Sequence, residues 1–171
     1  MKTIDFASLS PRDALDLAIL IEEEAAERYG ELADQMVTHH TAAAAEFFRV
    51  MVANETRHRD ELAARRKARF GDVAASVDWS MLTEVEAPEY DSVRAFMTRR
   101  QALEVALASE EKAYRFFVDA IPHLDDPEAR ALFEELRDEE LVHQKLVRNE
   151  IAGCADEGQF DTDFADDPVA Q

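Results

Sequence analysis

One short pattern, Glu-x-x-His, occurs twice inside apolar helical stripes, and it limits what this chain can fold into. The copies are Glu55-Thr56-Arg57-His58 and Glu140-Leu141-Val142-His143. Residues three apart on a helix share a face, one turn above the other. Around the first copy, Ala44, Phe48, Met51, Glu55, His58 and Leu62 step by three and four. Around the second, Ala129, Phe133, Leu136, Glu140, His143 and Val147 do the same. These are the core-facing stripes of amphipathic helices. A buried carboxylate without a partner costs several kcal/mol or is forced to neutralise. The same insertion made twice calls for something positive between the two copies.

The rest of the chain supplies two more such carboxylates. Ser10-Pro11-Arg12-Asp13 is a helix start, with Ser as N-cap and Pro at the first helical position. The helix expected over 11–37 carries Leu15, Ala18, Glu22, Ala25, Tyr29, Leu32 and Met36 on its inner stripe. Glu22 sits in a core slot, whereas Glu23, Glu24 and Glu27 are expected in solvent. Gly30 falls mid-helix, where close packing or a local bulge would explain it. Val37-Thr38-His39-His40 reads as a polar break before a second helix over 41–69, which closes on the cations Arg65, Arg66, Lys67 and Arg69. Residues 70–90 lose the helical period and are too long for a tight turn, so they read as a connector. Trp79 and Met81 are its expected anchors. A third helix over 91–121 has the inner stripe Phe96, Leu103, Leu107, Glu110, Tyr114, Phe117 and Ile121. Asp126-Pro127-Glu128 opens a fourth, over 127–151.

The two halves answer each other. Glu22 and Tyr29 are seven apart, as are Glu110 and Phe117. Phe48, Glu55 and His58 repeat the spacing of Phe133, Glu140 and His143. A duplicated helix hairpin gives an all-α four-helix bundle, two hairpins joined by a long crossover connection, over residues 1–153. Each helix then offers one core glutamate, and two helices add a histidine. Four carboxylates balance two divalent cations, and oxygen and nitrogen donors together suit iron or manganese, with zinc also able to bind. The candidate metal ligands are Glu22, Glu55, His58, Glu110, Glu140 and His143. Asn54 and Glu139, each just before a ligand glutamate, are candidates to orient the imidazoles.

Composition excludes several roles. The formal net charge of −19 argues against nucleic acid and anionic lipid as partners. A single cysteine, Cys154, rules out an internal disulfide and fits a reducing compartment, so a cytoplasmic location is expected. No run of the sequence approaches the ~20 apolar residues of a membrane span. Residues 154–171 are acidic and read as a poorly ordered tail.

The motifs Glu22-x6-Tyr29, Glu55-x2-His58, Glu110-x6-Phe117 and Glu140-x2-His143 resemble the rubrerythrin-like branch of the ferritin-like superfamily, over about residues 11–150. Phe6-Ala7-Ser8-Leu9-Ser10 and Glu22-Glu23-Glu24 with Tyr29 also resemble the ferritin-like domain of membrane-anchored bacterial ferritins. The resemblance implies a ferritin-like bundle, two iron ions that react with peroxide or dioxygen, and a homodimer or larger homo-oligomer. Two departures stand out. The paired Cys-x2-Cys of rubrerythrin's electron-transfer module is absent, so electrons are expected from an external donor. Ala113 occupies the position of rubrerythrin's additional third-helix glutamate, so its ligand switching does not carry over. Three functions follow as alternatives: peroxide or dioxygen reduction, with Tyr29 hydrogen-bonding a ligand or supplying an electron or else serving as a core aromatic; iron capture and ferroxidation; and a metal-free interaction bundle.

Overall fold

The computed structural model describes residues 4–38, 41–75, 77, 85, 88 and 97–154. Four helices carry the fold: α1 (Pro11–Thr38), α2 (Ala42–Phe70), α3 (Arg99–Ala120) and α4 (Pro127–Gly153). Their starts follow from local chemistry. Ser10 Oγ donates to Asp13 Oδ2 at 2.6 Å, and the backbone N–H of Asp13 donates back to Ser10 Oγ at 3.3 Å. Asp126 Oδ1 accepts from the N–H groups of Glu128 and Ala129 at 2.9 and 3.0 Å. These contacts satisfy helix donors that have no partner further back in the chain.

The third helix departs from the sequence expectation. Met97 and Thr98 lie outside it and it begins at Arg99, where Thr98 and Gln101 close a reciprocal cap: Gln101 N–H donates to Thr98 Oγ1 at 3.2 Å and Thr98 N–H to Gln101 Oε1 at 2.8 Å; the expected part over 91–96 lies outside the described residues. Its buried face is also rotated. Leu103, Glu110 and Phe117 are buried as expected, but Leu107, Tyr114 and Ile121 are half-buried, and Ala102, Ala106, Ala113 and Ala120 fill the core instead. Phe96, His39, His40, Trp79, Met81 and the tail beyond Cys154 lie outside the described residues.

The core divides into two apolar clusters. One gathers Leu15, Ala18 and Ile21 of α1, Leu62 of α2, Phe117 and Ala120 of α3, and Leu132, Phe133 and Leu136 of α4. Phe6, in a 3-10 turn ahead of α1, closes that end against Phe116 and Phe133, with ring centroids 5.8 and 6.4 Å away. The other cluster gathers Ala25, Tyr29, Leu32 and Met36, Ala44, Phe48 and Met51, Leu103 and Ala106, and Val147. The start of α1 thus lies level with the ends of α2 and α3 and the start of α4. So α1 and α4 run one way, and α2 and α3 the other. Phe70 and Arg99 lie at opposite ends, and their connection spans the bundle, about 33 Å for the 22 residues of α3. Val77 and Val85 pack in the first cluster, Met97 packs in the second, and Pro88 O accepts from Arg28 Nη1 at 3.2 Å. This is the all-α four-helix bundle with a long crossover.

Along α1 the inner stripe from Leu15 to Met36 is buried as expected. Glu27 is exposed, but Glu23 and Glu24 are half-buried. Neither expected reason for Gly30 holds: α1 is unbroken there, and a Cβ would meet nothing within 4 Å.

Candidate metal centre

Between the two apolar clusters lies a polar layer. Glu22, Glu55, Glu110 and Glu140, one from each helix, are buried there, with Glu55 and Glu110 fully closed to solvent. Periodicity explains the placement. Each glutamate occupies a core position of its stripe, so its helix cannot turn it outward without exposing the apolar residues one turn on either side.

The layer is built of two matching trios. Glu22, Glu55 and His58 offer one ligand atom each within 4.8 Å of one another, and so do Glu110, Glu140 and His143. Both imidazoles turn Nδ1 inward. His58 Nδ1 is 3.8 Å from Glu22 Oε2 and 3.5 Å from Glu55 Oε2. His143 Nδ1 is 3.1 Å from Glu110 Oε2 and 4.0 Å from Glu140 Oε2. The two rings stack face to face, with centroids 4.9 Å apart and planes 4° from parallel. They are half-buried rather than core, because they line an open cleft between α2 and α4. Lower in that cleft Arg65 pairs with Glu135 at 2.8 Å, and Arg69 pairs with Glu128.

The layer is short of positive partners. Among the described residues, Glu22 Oε2, both oxygens of Glu55, Glu110 Oε1, Glu140 Oε2 and His58 Nδ1 are buried with no hydrogen-bond partner. Buried polar atoms are nearly always satisfied, and here the exceptions converge on one layer. Divalent cations would satisfy these atoms and balance the charge, so this donor set fits them.

Electrostatics agree. Burial, then the charge and proximity of Glu55, push the Glu22 carboxyl well above the ordinary value. Burial, then Glu110, does the same to Glu140. Burial pushes His143 down, but the hydrogen bond and charge of Glu110, with Glu55 and Glu139, outweigh it and raise the imidazole. A raised carboxyl or imidazole binds a proton when folded that it has lost when unfolded, so stability falls as pH rises through that interval. All three shifts have this sign. Unfolding of the chelator-treated chain followed by urea from pH 5 to 8 should therefore show stability declining with pH. Glu22→Gln with Glu140→Gln should flatten the slope, and an unchanged slope would refute the assignment.

Some residues were not foreseen. Arg57 Nη2 donates to His58 Nε2 at 3.1 Å, and Gln144 Nε2 donates to the Glu110 carbonyl at 3.2 Å. Each directly adjoins a histidine of the pattern, which is the only signal the sequence offered. Of the expected imidazole-orienting residues, Asn54 is half-buried, and Glu139 is largely exposed at the cleft beside His58. Tyr29 is fully buried in the second apolar cluster, its ring stacked on Phe48 at 6.0 Å. It lies two turns from Glu22, roughly 10 Å along the helix.

Comparison with known proteins places these features in context. The chain matches the rubrerythrin family over residues 13–151. An uncharacterized conserved protein from Magnetospirillum magnetotacticum is similar in structure, with TM-score 0.65 and 30% identity over 84% of this chain and 95% of that one. A bacterioferritin from Rhodobacter capsulatus, solved with a metal-free dinuclear site and haem iron, is similar with TM-score 0.56 and 21% identity over 83% of each chain, a likeness of fold. No curated protein matches the chain.

Proposed function

The chain belongs to the rubrerythrin family, and on that footing we propose that it is a non-haem di-iron oxidoreductase reducing peroxide or dioxygen with electrons from an external donor. The observation that carries this reading is the set of buried donor atoms left without partners in one layer. Glu22, Glu55 and His58 would hold one ion, and Glu110, Glu140 and His143 the other. Manganese or zinc suits the same donors. When bound, the two irons supply the electrons that reduce the oxidant.

The chain's own residues prepare the site. The carboxyls of Glu22 and Glu140, raised by burial, give up their protons when cations replace them. Arg57 has only donors to offer, so His58 Nε2 accepts and the ring proton sits on Nδ1. For Nδ1 to ligate, that proton must move to Nε2 and the exposed Arg57 must turn away toward solvent. The apolar clusters above and below keep water from the layer, which leaves the α2–α4 cleft at His58 and His143 as the way in. Tyr29 is the candidate to hydrogen-bond a ligand or supply an electron.

We propose that the electrons come from an external donor, and the resemblance supports a homodimer or larger assembly. Among the described residues no helix is long and apolar enough to cross a membrane. We place the chain in the cytoplasm on its single cysteine.

A second reading, iron capture and ferroxidation, is favoured by acids at the cleft mouth, where Glu61, Glu135 and Glu139 lie beside His58. A metal-free bundle would leave the orphaned atoms unexplained.

Anaerobic stopped-flow absorbance of the Fe(II)-loaded chain mixed with peroxide or with oxygen tests the reading. Rapid oxidation by at least one is expected, and Tyr29→Phe should slow it. Inertness to both would remove the proposal, and uptake of many irons per chain would favour the second reading.

A further inference from the structure

Above the stacked histidines the α2–α4 cleft widens into a second, larger hollow, distinct from the acidic mouth below them. Its volume is about 420 Å³, within the usual range for small-molecule sites. Its walls are Phe47, Val50 and Met51 of α2 and Leu146 and Val147 of α4, and its floor is Glu55 and His143. Leu146 is 58% exposed, and Val50 is also exposed. Two large apolar side chains therefore stand open to solvent on facing walls of one concavity, over the polar layer.

We infer that this hollow binds a small, uncharged, apolar organic molecule, with one end against Glu55 and His143. The inference deepens the proposed function, since its floor is the proposed metal centre. Size sets the class. An apolar cavity of roughly 150 Å³ takes a benzene ring; this one, at about 420 Å³, has room for a two-ring molecule with part of it open to water. Charge narrows it further. Among the described residues the one arginine or lysine on the rim, Arg99, is held by Glu150 at 2.7 Å, and Glu46 stands on the rim as well. An anion would meet the rim carboxylates Glu46 and Glu150, with the described rim arginine already paired. A second copy of the chain would bring the same rim acids against each other, on a chain of net charge −19. A neutral apolar molecule meets neither penalty. It gains by covering Val50 and Leu146, and a single hydroxyl could reach the polar floor.

The test uses 2-naphthol, a neutral two-ring probe, and methyl-labelled chain loaded with Zn(II). Titration followed by NMR should give saturable shifts confined to the methyls of Val50, Met51, Leu146 and Val147. Leu146→Trp, which fills the hollow from an exposed position, should weaken binding by about tenfold or more. Shifts that do not saturate, shifts scattered over the surface, or unweakened binding to Leu146→Trp would overturn the inference. So would cleft methyls that respond to protein dilution and not to 2-naphthol, since a second copy would then be the occupant. Zinc per chain reads the metal centre separately. A chain without zinc that still binds 2-naphthol keeps the hollow and sinks the metal reading. A zinc-loaded chain that ignores 2-naphthol does the reverse.

Discussion

Adding Fe(II) anaerobically at a thousand times its dissociation constant should raise the unfolding free energy by about 4 kcal/mol for each ion held. For a chain of this size that is a rise in melting temperature of roughly 8–16 °C per ion. The reason lies in what the metal-free layer lacks. Among the described residues, six buried donor atoms have no hydrogen-bond partner, and burial holds Glu22 and Glu140 toward their neutral forms. Cations meet both deficits at once, and only in the folded chain, because the unfolded chain scatters the six ligands over four helices' worth of sequence. Mn(II) and Zn(II) should act in the same direction. Thermal unfolding with chelator and with each metal makes the check. A shift no larger than that of a surface-binding control such as Mg(II) would mean that the layer is not a cation site.

The second large effect runs the opposite way. Glu55→Met should stabilise the metal-free chain by about 1–4 kcal/mol while abolishing metal binding by its trio. Glu55 is 0% exposed and, among the described residues, neither of its oxygens has a hydrogen-bond partner; His58 Nδ1 stands 3.5 Å from Glu55 Oε2 and 3.8 Å from Glu22 Oε2, so an apolar side chain of similar length removes a desolvated acid and leaves the imidazole nitrogen beside Glu22. Glu110→Met should gain less, because Glu110 Oε2 holds His143 Nδ1 at 3.1 Å and its loss strands a buried imidazole nitrogen. The order matters as much as the size. An ordinary structural glutamate would lose stability on either substitution. Urea unfolding in chelator, with metal content measured in parallel, reads both quantities. Destabilisation by Glu55→Met in the metal-free chain would contradict the account.

Much of this was legible in the sequence, for a physical reason. A glutamate in a core slot violates the pattern that makes a helix amphipathic, and the violation marks its own position. Glu22, Glu55, Glu110 and Glu140 could all be found that way, and the repeat in the two halves turned four oddities into one layer. The starts of α1 and α4 were equally plain, since Ser10-Pro11 and Asp126-Pro127 carry their caps in the residue types. The start of α3 was also written in the chain, as Thr98-Arg99-Arg100-Gln101, but apolar residues further back masked it. Its rotation was harder. An alanine immediately precedes each of Leu103, Leu107 and Tyr114, and periodicity alone does not choose between a stripe of large residues and one of small residues that lets helices approach. The cleft was not legible at all. Whether His58 and His143 are core or groove depends on how far apart α2 and α4 stand, which no single helix records. The same is true of Val50 and Leu146, which only the fold brings to facing walls of one hollow.

Anomalous X-ray scattering at the iron edge, from crystals of the chain grown with Fe(II) under anaerobic conditions, puts the central claim to the most direct trial. Two peaks are expected inside the bundle, one within reach of Glu22, Glu55 and His58 and the other of Glu110, Glu140 and His143. A bundle interior without anomalous signal, its four glutamates swung out toward water or paired with protein groups alone, would contradict it.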